Sequence, residues 1–231
     1  MTKPFTGQTV LVTGASRGIG AVTAALLVQQ GARVIRMSRS AMPPMSHTID
    51  LHVDLIDPHA RAAAFEQVSE HHGTPDAIVS NAGAFLLAPL AETSDDLVRE
   101  QIAINLEAPL ALARHFLPPM QVRGSGSHVL VGSVADTQGF SGNAAYAASK
   151  YGVRGLHEVL TEEYGGSGIR FALISPGPTD TAAWDPINPD EHEGFARRDQ
   201  MLRPADVAEA IVFVLSRPAH VQVNSLRLGA I

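Results

Sequence analysis

The sequence contains no cysteine among its 231 residues, which excludes disulfide bonds, thiolate nucleophiles and thiolate metal sites. It also lacks an uninterrupted apolar run of the roughly 18–20 residues that a membrane-spanning helix needs. The segment before the first apolar stretch holds one lysine and no hydrophobic core, so we expect no signal peptide. From these absences we expect a cytoplasmic protein without a membrane partner.

Positive charge is also scarce. Seventeen Lys and Arg residues stand against 23 Asp and Glu, a formal net charge of −6, and this balance argues against a surface built to hold nucleic acid. The adjacent pair Arg197-Arg198 has acidic neighbours and is too small for such a site. The ten histidines show no His-Glu-x-x-His spacing, and His71 and His72 point in different directions on a helix. We expect neither a metal site nor a nucleic-acid partner.

Hydrophobic residues make up 45% of the chain, enough for a sizeable core. Short β-branched runs alternate with longer helical stretches, which predicts parallel strands joined by crossover helices. Apolar runs such as VLVT and IRFALIS are typical of strands buried on both faces. We therefore predict an α/β fold: one domain over 1–231, with a doubly wound parallel sheet of about seven strands and helices on both faces. The predicted strands are 9–13, 33–38, 48–53, 77–80, 128–133, 170–175 and 222–228, and the predicted helices are 18–30, 58–71, 94–120, 143–164 and 204–216.

Two segments have distinctive signals. The helix over 94–120 begins behind the potential cap Ser94, and we expect it to stop at Pro118-Pro119. The segment 182–202 is rich in Pro, Asp and Glu, with Trp184 and Phe195 embedded in it. A long loop in a compact domain is usually functional. Because it follows a strand of the predicted sheet, we expect a substrate loop at the carboxyl edge, where such folds bind ligands.

The stretch TGASRGIG, residues 13–20, follows a strand and opens a helix. Glycines here allow a tight turn and the approach of a pyrophosphate to a helix N-terminus, whose free N–H groups and dipole favour an anion. Ordinary turns use glycine too, so the cluster alone is weak. The strand–turn–helix context is what favours a dinucleotide site.

The end of the second strand distinguishes NAD from NADP. A carboxylate there would accept hydrogen bonds from the ribose 2′-hydroxyl and repel a 2′-phosphate. This chain has Ser38 followed by Arg39, and Arg39 and Arg17 could both reach a 2′-phosphate with Ser38 as a neutral donor. The alternative is that both arginines are ordinary solvated side chains. The pattern favours NADP(H).

Tyr146 and Lys150 are four residues apart on a predicted helix and so share one face. A phenol is a poor base at neutral pH, but a nearby ammonium favours the phenolate and lowers its pKa toward a useful range. Ser133 ends the predicted fifth strand, where its hydroxyl could bond a substrate oxygen. Asn105 lies among apolar neighbours, and a buried Asn needs partners. It is either a structural residue or part of a polar relay.

Together these motifs resemble the short-chain dehydrogenase/reductase superfamily, of the smaller single-domain Rossmann type, in order and spacing over essentially the whole chain. The residues that carry the resemblance are TGASRGIG, Asn81-Ala82-Gly83, Asn105, Ser133, Tyr146-x-x-x-Lys150 and the run Ser-Pro-Gly-Pro-Thr-Asp-Thr at 175–181.

The resemblance implies that Tyr146 is the general acid in reduction and the base in oxidation. Lys150 would lower the Tyr146 pKa and hold the nicotinamide ribose, Ser133 would polarise the substrate carbonyl, and Asn105 would hold a water that links Lys150 to solvent. It also implies a set of NADP(H)-binding residues: Gly14, Ser16, Arg17, Gly18, Ile19 and Gly20 around the pyrophosphate, Ser38 and Arg39 at the 2′-phosphate, Asp54 and Leu55 at the adenine, Asn81, Ala82 and Gly83 beside its ribose, and Pro176, Gly177, Thr179 and Thr181 at the nicotinamide, besides Tyr146 and Lys150.

The expected activity is hydride transfer between NADPH and a small or apolar ketone or aldehyde. Phe85, Leu86, Leu87, Phe140 and Trp184 belong either to an apolar substrate pocket or to the core. Two alternatives remain open: a 3-oxoacyl thioester reductase, and a non-catalytic NADP-binding sensor on the same fold. Thr179 stands where relatives have a hydrophobic residue, and the chain ends LRLGAI where many have Asp-Gly-Gly, which argues against the fatty-acid-synthesis reductases. By resemblance, we expect a homodimer or homotetramer.

Overall fold

The computed structural model describes residues 3–231, which form one seven-stranded parallel sheet in the order β3-β2-β1-β4-β5-β6-β7. The strands are β1 (Thr9–Thr13), β2 (Arg33–Ser38), β3 (Thr48–His52), β4 (Ala77–Ser80), β5 (Gly126–Val131), β6 (Ile169–Pro176) and β7 (Ser225–Leu228). The helices are α1 (Gly18–Gln29), α2 (Pro58–His72), α3 (Asp95–Ile102), α4 (Ala108–Arg123), α5 (Ala144–Glu163) and α6 (Pro204–Leu215).

Helices cover the sheet on both faces. On one face, α1 and α6 pack on the strands through residues such as Leu27 and Ile211. On the other face, α2, α4 and α5 pack through residues such as Phe65, Phe116 and Leu160. The inner strands β1, β4, β5 and β6 are buried on both sides, which is why they read as continuous apolar runs. The predicted α/β fold with a doubly wound parallel sheet is confirmed.

The strand order determines where a cleft opens at the edge of the sheet. β1 is bonded to both β2 and β4, so the chain winds outward from β1 in both directions, and the loops after β1 and β4 diverge. A crevice opens at the carboxyl ends of the strands at such a switch point. The glycine-rich loop after β1 lies there. Within residues 3–231, no helix combines the length and apolarity needed to cross a bilayer.

The predicted helix over 94–120 is wrong in two respects. It is interrupted by a π-helical segment, Ala103–Glu107, between α3 and α4. It also does not stop at Pro118-Pro119 but continues to Arg123, ending before Gly124 in the left-handed region. Pro inside a helix costs about 3 kcal/mol, but Phe116, Leu117 and Met120 on the same turns are fully buried. Their burial outweighs the local penalty.

Other boundaries shift by a few residues. β5 ends at Val131, two residues before the predicted end at 133, and β7 begins at Ser225 and not at 222. The segment 182–202 contains three short 3-10 turns, Ala182–Trp184, Pro189–Glu191 and Arg198–Gln200. It is thus an ordered loop after β6.

Candidate active site

A cleft of about 840 Å³ lies at the carboxyl edge of the sheet, within the size range of small-molecule and cofactor sites. All the predicted site residues except Gly20 line it. The structure therefore brings together residues from every part of the chain, from the loop after β1 to the segment after β6.

The glycine-rich loop has the backbone that an anion site requires. Gly14 and Gly18 have φ values of +66° and +58°, which other residues rarely adopt. No side chain caps the N-terminus of α1, where Arg17 is the N-cap residue, so side chains leave the first N–H groups of the helix free. Free N–H groups at a helix N-terminus fit a pyrophosphate, and Ser16, Arg17 and Ile19 line the cleft here.

Gly20 lies behind this loop and not in the cleft. A Cβ at Gly20 would collide with the carbonyl oxygen of Gly14 and lie 2.5 Å from Asn81 Nδ2. Asn81 Nδ2 donates to the carbonyl oxygens of Thr13 and Gly14, at 3.0 and 3.3 Å. Gly20 thus lets α1 approach the loop, and Asn81 fastens the loop to the end of β4. The sequence predicts that Gly20 contacts the pyrophosphate. In the structure its role is one of packing, because the backbone of Gly14 already fills the space beside it.

The far end of the cleft, beside β2 and β3, carries the predicted cofactor-selecting residues. Ser38 is buried, and its Oγ accepts a hydrogen bond from the backbone N–H of Ser40 at 3.2 Å. Arg39 is 67% exposed and lies 3.6 Å from the Asp54 carboxylate. An exposed pair of this kind contributes little, so Arg39 is free to exchange Asp54 for a phosphate. Arg17 is exposed and lines the same cleft.

Ser133 lies two residues beyond β5 and is the N-cap of a 3-10 turn, Val134–Asp136. Its Oγ accepts a hydrogen bond from the backbone N–H of Ala135 at 3.1 Å. The prediction that Ser133 ends the strand is therefore wrong, although the residue remains at the carboxyl edge and lines the cleft. This accepted hydrogen bond orients the hydroxyl, whose own hydrogen points toward Tyr146 on the cleft side.

Tyr146 and Lys150 lie one turn apart on α5, and both line the cleft. Lys150 Nζ is 5.7 Å from the centroid of the Tyr146 ring and donates to the carbonyl oxygen of Val131 at 2.9 Å. Lys150 is buried. The helical spacing thus places a cation beside the phenol, as predicted.

Burial controls the ionisation of both groups. It raises the pKa of Tyr146 to about 12, an effect that hydrogen bonding with Ser133 opposes and the negative charge of Asp136 reinforces. Burial also lowers the pKa of Lys150 to about 8, while Asp136 acts in the other direction. The expectation that the ammonium brings the phenol pKa down is not met, because desolvation of the phenolate dominates. The structure favours a protonated Tyr146, the form that donates a proton.

Asp136 is a site residue that the sequence analysis missed. Its side chain is 1% exposed. Its Oδ2 accepts hydrogen bonds from Ser175 Oγ at 2.5 Å and from the backbone N–H of Ser133 at 3.3 Å. Arg154 lies 4.0 Å away on α5. The usable signal was the Ser133-x-x-Asp136 spacing, which is that of a capping box.

Asn105 lies in the π-helical segment and has its amide fully engaged. Its Oδ1 accepts from the backbone N–H of Ala84 at 3.0 Å, and its Nδ2 donates to the carbonyl oxygen of Ala84 at 3.0 Å and to Ser149 Oγ at 2.9 Å. These contacts join the segment after β4 to α5. Of the two alternatives, they support the structural one; the relay water stays a prediction.

The substrate end of the cleft is aromatic. The Phe85 ring lies 4.9 Å from the ring of Tyr146 and 5.0 Å from that of Trp184, and Trp184 lies 6.1 Å from Phe195. Leu87 and Phe140 also line the cleft, whereas Leu86 does not. The sequence assigns Phe85, Leu86, Leu87, Phe140 and Trp184 either to a substrate pocket or to the core. Four of them line the pocket.

The loop after β6 is held by Arg198, which the sequence analysis considered only as part of a basic pair. Its guanidinium donates to Asp180 and to Asp185, both at 2.7 Å. Thr179 is buried, donates to the Gly177 carbonyl oxygen at 3.0 Å and pairs with Leu202. These contacts close the loop at both ends and hold Trp184 over the cleft.

Within the part of the chain that the structure describes, no group of three or more His, Asp or Glu side chains is arranged to hold a metal ion. The cleft itself presents a phenol, an ammonium and a hydroxyl beside the glycine-rich loop.

Comparison with known proteins agrees with this arrangement. The family described as short chain dehydrogenase matches residues 8–192. A cis-4-hydroxycyclohexanecarboxylate dehydrogenase from Sinomonas cyclohexanicum is 32% identical, over 98% of this chain and 96% of its own. The 3-oxoacyl-(acyl-carrier-protein) reductase MabA from Mycobacterium tuberculosis is 31% identical, over 94% and 88%. The structure of a putative NAD(P)-dependent gluconate 5-dehydrogenase from Beutenbergia cavernae, with NADP bound at low occupancy, is similar with a TM-score of 0.86, 28% identity, and coverage of 98% and 97%.

Proposed function

The chain belongs to the short-chain dehydrogenase family and is an oxidoreductase, and we propose that it uses NADPH to interconvert a small or apolar ketone or aldehyde and its alcohol. The observation that carries this proposal is the cleft itself. Ser133, Tyr146 and Lys150 lie at one end, and the glycine-rich loop and Arg39 line the remainder.

The three side chains have complementary roles in a reduction. Tyr146, held protonated by burial, donates its proton to the carbonyl oxygen as negative charge develops there. Ser133 donates a hydrogen bond to the same oxygen. Lys150 holds a positive charge near the phenol, which stabilises the phenolate left after proton transfer. When bound, a nicotinamide cofactor supplies or accepts the hydride.

Other residues would hold that cofactor. The uncapped start of α1 and its glycines suit the pyrophosphate. Lys150 would hold the nicotinamide ribose, and the segment from Pro176 to Thr181 would contact the nicotinamide ring. For the choice of dinucleotide, the support is the exposed Arg39 after a strand that ends in Ser38 and not in a carboxylate. A relative that is 28% identical binds NADP.

The decisive experiment compares wild type with Tyr146→Phe. We expect carbonyl-dependent oxidation of NADPH by the wild type across a panel of ketones and aldehydes, and near-complete loss in the variant with its NADPH affinity kept. Normal turnover by the variant would refute the role of Tyr146. Binding of NADPH without turnover of any carbonyl would favour the sensor alternative.

The second candidate function is reduction of a 3-oxoacyl thioester. The observation that favours it is the 31% identity with the 3-oxoacyl-(acyl-carrier-protein) reductase MabA. Assay with an acetoacetyl thioester beside its free ketone analogue separates the two. A preference of about 100-fold for the thioester in kcat/KM, equal to about 2.7 kcal/mol of transition-state stabilisation, would replace the proposed substrate class.

We also propose a homodimer or homotetramer in the cytoplasm. The support for assembly is the set of large apolar side chains that α4 and α5 leave exposed, Leu110, Val122, Tyr151 and Val159. Light scattering after gel filtration checks it, and a monomeric mass at micromolar concentration would contradict it.

A further inference from the structure

Resting on the proposed function, we infer that the substrate is an uncharged carbonyl compound that places an apolar ring against Phe85, Trp184 and Phe195, and that a carboxylate on that ring is selected against. This narrows the expected substrate from apolar carbonyls in general to neutral ring compounds.

The aromatic side chains form a continuous wall that starts at the proton donor. Phe85 meets the Tyr146 ring nearly edge-on, at 78°, with 4.9 Å between centroids. Trp184 follows at 5.0 Å from Phe85, and Phe195 at 6.1 Å from Trp184. Such spacings lie in the range in which aromatic rings attract one another. A carbonyl bonded to Tyr146 thus has apolar ring surface on the side where its substituent must lie.

The two arginines of the cleft lie away from this wall, and the lysine of the cleft already has a backbone partner. Among residues 3–231, its cationic side chains are Arg17, Arg39 and Lys150. Arg39 follows β2, whereas Trp184 and Phe195 follow β6, four strand spacings away in the sheet, or roughly 19 Å at about 4.8 Å per spacing. Arg17 belongs to the pyrophosphate loop. Lys150 is buried and bonded to the Val131 carbonyl oxygen.

In the loop after β6, the charged residue that lines the cleft is negative. Glu193 lines the cleft beside Phe195. Arg197, two residues beyond Phe195, does not line the cleft and pairs with Asp199 at 3.8 Å. Arg198, which belongs to the same loop, is bonded to Asp180 and Asp185 and does not line the cleft. A substrate carboxylate here would lose water against ring carbons, gain no cation, and meet the charge of Glu193. A neutral ester or alkyl group of similar size avoids all three costs.

The chain offers a direct readout, because Trp184 is its only tryptophan. We propose to titrate the protein, saturated with NADP⁺, with 4-oxocyclohexanecarboxylate and with its methyl ester, and to follow Trp fluorescence at pH 7. The two compounds share one ring and one ketone and differ in charge. We expect the ester to bind at least about tenfold more tightly, equal to 1.4 kcal/mol. Equal or tighter binding of the acid would overturn the inference.

Glu193→Lys tests the charge argument within the same assay. We expect it to raise the affinity for the acid by about tenfold and to leave that for the ester within about twofold. The neutral variant Glu193→Gln should give an intermediate value for the acid. If both variants leave the acid unchanged while wild type still prefers the ester, apolar contact alone carries the selection, and the role given to Glu193 is wrong.

Turnover separates this inference from the proposed function. If the ester quenches Trp184 preferentially but neither ketone is reduced with NADPH or NADH, the selection of neutral ring compounds as ligands stands and the reductase proposal fails. If both are reduced and the acid binds as well as the ester, the reductase stands and the substrate class fails. Trp184→Ala should lower kcat/KM for the ester about tenfold, equal to about 1.4 kcal/mol, but that for acetone less than about threefold, since acetone has no ring to lie against Trp184.

Discussion

The Asp136 carboxylate accepts a hydrogen bond from the Ser175 hydroxyl at 2.5 Å, and this contact joins the turn after β5 to the end of β6 directly behind the cleft. The same oxygen accepts the backbone N–H of Ser133. One buried anion therefore fixes the position of the Ser133 backbone and sets the electrostatic environment of Tyr146 and Lys150. Its nearest cationic partner outside the cleft is Arg154, at 4.0 Å, and Arg227 reaches the same turn through the Val134 carbonyl oxygen.

Asp136→Asn should move the pH dependence of reduction. The negative charge of Asp136 raises the pKa of both Tyr146 and Lys150, so its removal lowers both values. Since both groups must be protonated, kcat/KM in the wild type falls as pH rises past the Lys150 pKa of about 8. In the variant we expect this alkaline limb about one pH unit lower, as measured by initial rates from pH 6 to 10.

Ser175→Ala is the matched control for that prediction. It removes one hydrogen bond of about 1 kcal/mol but keeps the charge of Asp136, so the limb should stay in place even if the protein loses stability. An unmoved limb in Asp136→Asn would show that the carboxylate acts only as a structural cap.

Arg39→Ala should weaken NADPH use selectively. Loss of a guanidinium that pairs with a 2′-phosphate removes a charge-assisted hydrogen bond of about 2 kcal/mol, which predicts a decrease of about 30-fold in kcat/KM for NADPH and little change for NADH. Arg114→Ala, at an exposed arginine outside the cleft, should affect neither. Equal losses with both cofactors would contradict the assignment.

Arg198→Ala should loosen the loop after β6. Because Arg198 joins Asp180 to Asp185, its loss frees the segment that carries Trp184. We expect a higher KM for the carbonyl compound, an unchanged Kd for NADPH, and faster proteolysis within 182–202. Arg197→Ala is the neighbouring control, since the Arg197 guanidinium pairs with the exposed Asp199, at 3.8 Å, and its backbone hydrogen bonds survive the substitution. Similar effects of both variants would show that Arg198 has no special role in holding the loop.

His128 should make the protein sensitive to acid. Burial lowers its pKa to about 3, with His157 acting in the same direction. The unfolded chain therefore binds a proton between about pH 6.5 and pH 3 that the folded one does not, so the free energy of unfolding falls as pH is lowered through this window. Over the whole window, this group lowers the free energy of unfolding by about 5 kcal/mol.

His128→Gln should flatten that pH dependence, since glutamine does not titrate. Urea unfolding at pH 7, 6, 5 and 4 measures it, with His220→Gln, at an exposed histidine, as the unchanged control. A wild-type slope retained in His128→Gln would assign the acid sensitivity to other groups.

Local sequence pattern is sufficient to predict several strands of this protein but not every element boundary. The periodicity of the strands and the glycine-rich turn predicted β1, β2 and β4 to the residue, because these signals arise from neighbours in the chain. The same local reasoning ended a helix at Pro118, where buried neighbours carry it on to Arg123. It also placed Ser133 in a strand that ends two residues earlier.

The order of apolar runs, turns and the Tyr146-x-x-x-Lys150 spacing was enough to specify a doubly wound sheet and the chemical groups at its edge, since hydrophobic periodicity and helical spacing are properties of consecutive residues. The protonation state of Tyr146, the buried anion behind Ser133 and the aromatic wall before it depend on segments far apart in sequence: Phe85, Asp136, Ser175 and Trp184 come from four different loops and strand ends. Desolvation and Coulomb energies depend on distances in space, and folding alone sets those distances.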